Sequence, residues 1–294
     1  MRIVQFDEAP GIPRVGVMVD DGTVQPVRVP DGTPSDTAVV ALAMGDLPPE
    51  PEGPPVAWRS VRPRPPIRRP PALRDFMLFE DHLANALRPR GRSVPEAWYA
   101  APAFYFGNPH TVCGDRTGVP VPAGAWADYE LELGVVVGRE LRDAGPDEAA
   151  EAIAGFTLLN DLSLRDRQRA EHPIGLGPSK SKDFGTVLGP ALVTPDELPG
   201  TRRRPELVLE AWVNGSRWST GDCAAMHFDL GEALSHASRG SCVGAGDVAG
   251  SGTVPTGCVI ELLALEREGA RWLTGGDVVE LRAAGLGTLT TYIT

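Results

Sequence analysis

The sequence has no apolar run long enough to cross a bilayer, and its first residues, MRIVQFDEAPG, lack the apolar centre of a signal peptide. These two absences predict a cytoplasmic protein. Cysteine is scarce as well, and no two cysteines form a C-x-x-C pair. This spacing predicts reduced thiols rather than a zinc site or a disulfide framework. The four cysteines are Cys113, Cys223, Cys242 and Cys258.

Positive charge is in short supply. The chain has 28 basic and 39 acidic residues, a net charge of -11, which argues against a general nucleic-acid binder because such proteins neutralise phosphates. The one basic cluster, RSVRPRPPIRRPP, lies in a proline-rich segment and is interpreted as a solvated linker. We therefore expect no nucleic-acid partner and no membrane partner.

A chain of 294 residues can form one large or two modest domains. Prolines recur so densely from Pro48 to Pro71 that regular structure is not expected there, and this stretch predicts a domain boundary. We expect a small β-rich domain over residues 1–70, ending in the proline-rich linker, and a catalytic domain over residues 71–294.

The first domain should begin with strands in MRIVQF and RVGVMV, followed by a hairpin turn through Asp21 and Gly22. The segment SDTAVVALAMG predicts a short helix, for which Ser35 or Asp36 would be the cap.

The second domain should alternate strand and helix before a strand-rich last third. LRDFMLFEDHLANALRPRGRS predicts a strand end running into a helix, and PDEAAEAIAG a short helix from Pro146 to a stop at Gly155. Asn214 and Gly215 predict a hairpin turn. The glycine-rich VGAGDVAGSG leads to a strand, so it lacks the helix N-terminus that a phosphate cradle needs.

The stretch DYELELGVVVGRE, residues 128–140, alternates acidic and apolar side chains before it runs into three valines. In a strand, successive side chains point to opposite faces, so Asp128, Glu130 and Glu132 would share one face. On pattern alone, a half-buried strand with its polar face in water is the favoured interpretation. A binding site built from the carboxylates is the alternative.

Two further aspartates favour that alternative. Asp75 follows the linker in LRDF, and Asp161 follows the apolar run FTLL, although turn and cap residues occupy such positions too. If they converge with Glu130 and Glu132 in a cleft, each close pair would repel by several kcal/mol at an effective dielectric of about 20, and the group would require a cation. Oxygen ligands of this kind suit Mg²⁺, Ca²⁺ or Mn²⁺ better than zinc.

Five motifs in order resemble the fumarylacetoacetate hydrolase family: DFMLFEDHLAN, YELELGVVVG, LLNDLSLRDRQ, SKDFGTVLGP and GSGTVPTGCVIEL. The resemblance covers the chain from roughly residue 70 to residue 290. It implies a mixed, β-rich α+β fold, in which a β-sandwich roll forms the catalytic domain behind the small β-rich N-terminal domain. Members of the family are usually homodimers.

The resemblance also implies a divalent metal site, for Mg²⁺ or alternatively Ca²⁺ or Mn²⁺. Its residues would be Asp75, Glu130, Glu132 and Asp161, with Lys182 and Thr186 counted with the site. Asp128 is left as a flanking residue.

The same resemblance implies the catalytic roles. His82 would be the general base, oriented by Glu261. The residues that stabilise developing oxyanion charge would be Arg165, Gln168 and Lys182. Substrate contacts would fall on Tyr105 and Thr253. The remaining histidines have no motif partner and are expected to be structural or exposed; they are His110, His172, His227 and His236.

The chain departs from the family pattern in several places. Acylpyruvase-type members carry a glutamate three residues after the histidine, where this chain has Asn85, and this favours the branch whose histidine partner comes from the C-terminal segment, here Glu261. Asp183 stands where members often carry Ser or Gly and would add an acid near the metal. The arginine for a substrate carboxylate does not align uniquely. Its candidates are Arg88, Arg90 and Arg92.

The expected activity is metal-dependent hydrolysis of the carbon–carbon bond of an acylpyruvate or related β-diketone, such as fumarylacetoacetate. The same scaffold also serves decarboxylases, tautomerases and hydratases of 2-oxo acids, which need no hydrolytic cleavage. A third hypothesis is a non-catalytic, metal-stabilised homologue. His82 and Glu261 favour hydrolysis over those other reactions, and the intact set of ligands, base and oxyanion donors argues against a non-catalytic homologue.

Overall fold

Nineteen strands and six α-helices are present in the computed structural model, which describes residues 1–9, 11–175 and 177–294. The helices are α1 (Ser35–Met44), α2 (Glu80–Leu87), α3 (Pro146–Glu151), α4 (Arg165–Glu171), α5 (Leu230–Ser238) and α6 (Val259–Ala264). The first ten strands are β1 (Arg2–Ala9), β2 (Ile12–Met18), β3 (Thr23–Pro26), β4 (Val56–Ala57), β5 (Arg62–Arg64), β6 (Leu73–Phe76), β7 (Phe104–Phe106), β8 (Val112–Cys113), β9 (Thr117–Val119) and β10 (Ala127–Asp128). The others are β11 (Leu131–Val137), β12 (Ile153–Asp161), β13 (Ser163–Leu164), β14 (Thr186–Val193), β15 (Val208–Val213), β16 (Ser216–Asp222), β17 (Val248–Gly250), β18 (Val278–Ala283) and β19 (Gly287–Ile293).

Most strands belong to one large mixed sheet. Its order is β4-β3-β2-β1-β14-β12-β11-β17-β6-β7, with β5 paired to β1 and β8 paired to β14. A second sheet has the order β16-β15-β18-β19-β9, and β10 pairs with β13 alone. This is the mixed, β-rich α+β fold that the sequence predicts.

The two sheets pack face to face, with β11, β12 and β14 against β15, β18 and β19. Along β11, Leu131, Leu133 and Val135 are buried in the core between the sheets, whereas Val136 belongs to a second core that α1 covers on the other face. Fully burying such a side chain contributes roughly 1.5–3 kcal/mol. This row therefore fixes the register of the strand, and Glu132 must point to the face opposite the inter-sheet core.

The N-terminal strands extend the large sheet, because Ile3 of β1 pairs with Leu192 of β14. The predicted β-hairpin through Asp21 and Gly22 is present between β2 and β3. The proline-rich stretch 48–71 contains the short strands β4 and β5 and, between them, a single 3-10 turn at Trp58–Ser60. The division into two domains at residue 70 concerns independent folding and stays a prediction.

Two helix ends differ from the sequence prediction. Helix α1 begins at Ser35 behind Pro34, and no side chain caps it, so the expected cap by Ser35 or Asp36 is wrong. Helix α3 ends at Glu151, and Gly155 lies inside β12 instead of stopping the helix. A glycine is needed there because a Cβ at Gly155 would lie 2.6 Å from the carbonyl oxygen of Val193 on the neighbouring strand.

The hairpin between β15 and β16 turns at Asn214 and Gly215, as predicted. Their φ angles are 51° and 78°, the left-handed pair that a two-residue hairpin turn requires.

None of the helices in the described ranges combines the length and apolarity needed to span a membrane.

Asp36 has a tertiary role in place of capping, since its carboxylate joins α1 to the proline-rich segment. It accepts hydrogen bonds from Nε2 of the buried Gln5 at 2.6 Å and from the backbone N–H groups of Arg68 and Arg69 at 3.1 and 3.0 Å. A charged acceptor of this kind contributes about 1.5–3 kcal/mol.

We expect Asp36→Ala to lower the free energy of unfolding by about 1–3 kcal/mol, measured by chemical denaturation. Asp31→Ala is the matched control, because Asp31 is exposed and makes no side-chain hydrogen bond within the described residues. Equal unfolding midpoints for the two variants would contradict this role for Asp36.

Candidate active site

One face of the large sheet carries most of the predicted metal site. Asp75 on β6 pairs with Gly250 on β17, which pairs in turn with Gly134 on β11. Glu132 lies two residues before Gly134 and so shares its face. On the other side of β11, Asp161 of β12 pairs with Thr186 of β14. Adjacent strands thus project these side chains to the same side of the sheet.

Gly250 makes the convergence possible. A Cβ at this position would lie 2.4 Å from Oδ1 of Asp75 and 2.6 Å from Oε2 of Glu132. The two carboxylates therefore meet in space that only a glycine leaves open. The sequence analysis did not single out Gly250; its position in a strand interior was the available signal, because glycine there often marks a close approach.

The acidic groups form a buried cluster. Ligand oxygens of Asp75, Glu130 and Glu132 lie within 4.8 Å of one another, and all three side chains are buried. Asp161 is linked to this cluster through Lys182, whose Nζ donates hydrogen bonds to both Glu130 and Asp161. Lys182 carries only donors, so in this structure it acts as a positive counter-charge.

Three further donors hold the cluster from the sides. Thr186 Oγ1 donates to Asp161 at 3.3 Å, and the Tyr105 hydroxyl also donates to Asp161. Arg165 donates through Nη2 to Glu130 at 2.6 Å. The positive charges of Lys182 and Arg165 outweigh the cost of burial and hold the pKa of Glu130 below its usual range.

Asp75 and Glu132 lack such compensation. Burial, reinforced by the charge of Asp161, raises the pKa of Asp75 to about 7. Burial and the charge of Asp75 raise the pKa of Glu132 well above its usual value. Oδ1 of Asp75 and Oε2 of Glu132 are buried and have no hydrogen-bond partner among the described residues. Unsatisfied, converging carboxylate oxygens are what a hard divalent cation binds, so these residues fit a Mg²⁺-type ion.

A second buried unit lies beside the cluster. His82 on α2 contacts Glu261 on α6 through Nδ1 at 2.9 Å. Burial alone would lower the pKa of His82, but the Glu261 carboxylate outweighs it and the pKa is raised. With Nδ1 engaged, Nε2 is the nitrogen left to act on a ligand.

Glu261 is itself held by three donors that the sequence analysis did not assign. Asn85 Nδ2 and the backbone N–H of Thr256 donate to its Oε1, each at 3.0 Å, and the Cys258 thiol donates to its Oε2 at 3.2 Å. Asn85 thus holds a glutamate that comes from a distant part of the chain. Burial and the charge of Glu261 raise the pKa of the Cys258 thiol well above its usual value, so it remains protonated.

Both units open into one cavity of about 320 Å³. The cavity is lined by most of the predicted site residues and by apolar side chains of α2 and of segments 76–77 and 103–104. The predicted residues in this lining are Asp75, His82, Arg90, Tyr105, Glu130, Glu132, Arg165, Gln168, Lys182 and Thr253. Arg92 also lines it.

Some predicted residues lie elsewhere. Arg88 does not line this cavity and borders the adjoining groove instead. Asp183 does not join the acidic cluster, because it pairs with exposed Lys180 at 2.6 Å. His172, expected to be structural or exposed, is exposed at the edge of the cavity.

Asp128 corrects a sequence interpretation. The sequence predicts a flanking residue, yet Asp128 is fully buried and accepts a hydrogen bond from Arg165 Nε at 2.8 Å. The guanidinium of Arg165 lies between Asp128 and Glu130.

Comparisons with known proteins agree with this architecture. A family model described as "Fumarylacetoacetate (FAA) hydrolase C-terminal" matches residues 74–294. A Burkholderia cenocepacia protein named "Putative hydrolase" is 31% identical over 214 residues, which cover 71% of this chain and 68% of that protein. The chain therefore belongs to the fumarylacetoacetate hydrolase family.

Solved structures share the fold along the whole chain. A fumarylacetoacetate hydrolase from Exiguobacterium antarcticum matches with a TM-score of 0.77 at 24% identity, covering 100% of this chain and 99% of its own. A 2-hydroxyhepta-2,4-diene-1,7-dioate isomerase from Mycobacterium marinum matches with a TM-score of 0.73 at 22% identity, covering 100% and 98%. At these identities the likeness shows the fold, and the reaction type has to be argued from the site.

We expect Gly250→Ala to weaken Mn²⁺ binding at least tenfold by isothermal titration calorimetry, because the added Cβ displaces the ends of Asp75 and Glu132. Both obstructing atoms end flexible side chains, so the fold should survive. Gly145→Ala is the control, since a Cβ there meets nothing within 4 Å. Unchanged Mn²⁺ affinity in Gly250→Ala would show that the two carboxylates do not bind the ion together.

Proposed function

We propose that the protein is a metal-dependent hydrolase that cleaves the carbon–carbon bond of an acylpyruvate or related β-diketone, such as fumarylacetoacetate. The observation that carries this proposal is that the carboxylate cluster and the His82–Glu261 pair border the same cavity. A carboxylate cluster suited to a divalent cation lies beside a histidine–glutamate pair suited to activating water.

The cation would be held by Asp75, Glu130, Glu132 and Asp161, and Mg²⁺ is the first choice, with Ca²⁺ and Mn²⁺ as alternatives. When bound, it supplies Lewis-acid polarisation of the substrate carbonyls and stabilises the enolate leaving group. Lys182 and Thr186 support the site through their hydrogen bonds to Asp161.

His82 is the proposed general base. Its Nε2 would take a proton from a water molecule as the water oxygen attacks the substrate carbonyl, while Glu261 stabilises the imidazolium that forms. The protonated His82 is then the acid available to return that proton to the leaving carbon. The raised pKa of His82 makes it a stronger base than a free imidazole.

Three side chains are placed to stabilise negative charge on the attacked carbonyl oxygen. Arg165, Gln168 and Lys182 all line the cavity. Gln168 accepts a hydrogen bond from Arg165 Nη1 through Oε1 at 3.0 Å, which leaves its Nε2 hydrogens for the cavity. Removing one such donor typically costs about 3 kcal/mol of transition-state stabilisation.

The substrate carboxylate is assigned to Arg90, with Arg92 beside it, because these two candidates line the cavity and Arg88 does not. Tyr105 and Thr253 complete the polar lining; Thr253 Oγ1 also donates to Glu132 at 3.4 Å. The apolar wall formed by Phe76 and Phe104 suits the acyl arm.

A second candidate function is isomerisation or decarboxylation of a 2-oxo acid at the same site. The shared fold with the Mycobacterium marinum protein, which is named as an isomerase, favours it. Such a reaction would use the same metal site and would need no attacking water. The His82–Glu261 pair favours hydrolysis. We also propose a cytoplasmic homodimer whose activity is nearest to that of fumarylacetoacetase within the family.

The deciding experiment follows the loss of enol ultraviolet absorbance for a panel of acylpyruvates and fumarylacetoacetate, with and without Mg²⁺. We expect Mg²⁺-dependent loss, and a fall of at least about 100-fold in kcat for His82→Ala. Full turnover in His82→Ala would exclude the hydrolytic mechanism. No turnover of any compound, together with a chelator-sensitive melting temperature, would favour a structural metal site.

Glu130→Gln and Glu132→Gln should each abolish the metal-dependent activity and leave the fold largely intact, because each removes a charged ligand and keeps its size. In the unaltered protein, Mg²⁺ at 100 times its Kd should add about 2.7 kcal/mol of stability, seen as a rise in Tm. Both variants should lose this rise, whereas exposed Glu206→Gln should keep it. A full Tm rise in Glu132→Gln would contradict its assignment as a ligand.

A further inference from the structure

Asp128 is a fully buried carboxylate that none of the proposed chemical steps uses. Asp128 is the buried last residue of β10 and pairs with Ser163 of β13. Two residues after Ser163, Arg165 begins α4. All of its hydrogen-bond donors belong to segments that carry site residues. A buried carboxylate is costly unless it is fully hydrogen-bonded, so its placement requires these partners.

One set of donors comes from the start of α6. The backbone N–H groups of Val259 and Ile260 donate to the Asp128 carboxylate at 2.6 and 3.1 Å. Cys258, which precedes the helix, provides no side-chain cap. Asp128 therefore satisfies the first turn of α6 from a distant part of the chain. Glu261 is the third residue of that turn, so its backbone position depends on this contact.

The other donor is Arg165. Its Nε contacts Asp128 at 2.8 Å, while Nη2 contacts Glu130 at 2.6 Å and Nη1 contacts Gln168 at 3.0 Å. The planar guanidinium has a fixed geometry, so fixing Nε also fixes the direction of both terminal nitrogens. The position of Arg165 on Glu130 thus depends on Asp128.

We propose that Asp128 is a positioning residue, whose single carboxylate holds Arg165 on Glu130 and holds the turn that presents Glu261 to His82. It couples the carboxylate cluster to the histidine–glutamate pair. This inference rests on the proposed metal site and base, and it adds a residue that touches neither substrate nor cation.

Charge balance shows why the carboxylate is needed. Arg165 lies between two negative groups, Asp128 and Glu130. Without the Asp128 carboxylate, Arg165 keeps Glu130 as its sole charged partner among the described residues but loses the contact that fixes the direction of its guanidinium, so Glu130 is no longer held in place for a cation. A change at Asp128 should therefore weaken metal binding as well as turnover.

The test compares Asp128→Asn with Asp229→Asn. Asp229 is a matched control, because it is also buried, caps α5 at 2.9 Å through the N–H of Glu232 and pairs with Arg203. It does not line the cavity. Both variants should lower Tm. Asp128→Asn should also weaken Mn²⁺ binding at least fivefold and lower kcat at least tenfold, with KM changed less than threefold, whereas Asp229→Asn should leave all three within twofold.

A double-mutant cycle tests the route through Arg165. If Asp128 acts through Arg165, the double variant Asp128→Asn/Arg165→Gln should bind Mn²⁺ less than twofold more weakly than Arg165→Gln alone. Full additivity would overturn this link. Asp128→Asn with the Mn²⁺ affinity and kcat of the unaltered protein would overturn the proposal as a whole and leave Asp128 a structural residue.

Hydrogen exchange gives a readout that needs neither metal nor substrate. Asp128→Asn should speed amide exchange in both 259–264 and 165–171, and Asp229→Asn should do so in neither. If Asp128→Asn does not fold, Asp128→Ser keeps a smaller acceptor and carries the same expectations. Failure of the unaltered protein to bind Mn²⁺ would contradict the proposed metal site; unchanged exchange in both segments would contradict the role of Asp128.

Discussion

The burial of excess negative charge on one face of a sheet is the constraint on which the rest of the site depends. Four carboxylates converge there, and two cations, Lys182 and Arg165, contact them. The remaining negative charge is left on Asp75 and Glu132, which have orphaned oxygens. Two unit charges 4 Å apart repel by about 4 kcal/mol at an effective dielectric of 20, so the cluster needs either protons or a divalent cation. The raised pKa values of Asp75 and Glu132 describe the protonated cluster without a cation, whereas the proposed enzyme uses the cluster with a bound cation.

The sheet supplies the rigidity that such a cluster requires. The apolar residues of β11 anchor it between two cores, and its neighbours β17, β6, β12 and β14 bring the other side chains into register. The histidine and its glutamate come from two helices, α2 and α6, that pack against each other. The large sheet thus positions the proposed metal ligands, and helices α2 and α6 position the proposed base. Asp128 links these two parts of the structure.

The sequence predicts those features of the site that follow from residue alternation or from a recognisable motif. Alternation in DYELELG puts Glu130 and Glu132 on one face. The resemblance to the family implies that His82 and Glu261 are partners, although 179 residues separate them. The sequence does not predict what depends on tertiary distance. Asp128 looks like a solvated flanking residue because its amide partners lie 131 and 132 residues further on. Gly250 looks like one of many glycines until the two carboxylates beside it are seen. Asp36 looks like a cap because a cap needs only local sequence, whereas its partners, Gln5 and the 68–69 backbone, come from two distant segments.

The most direct measurement of the central claim is anomalous X-ray scattering from crystals grown with Mn²⁺. The account predicts one strong peak per chain, coordinated by oxygens of Asp75, Glu130, Glu132 and Asp161, with Lys182 beside the ion and outside its ligand set. A well-diffracting crystal with no peak there at saturating Mn²⁺, or a peak elsewhere in the fold, would contradict it.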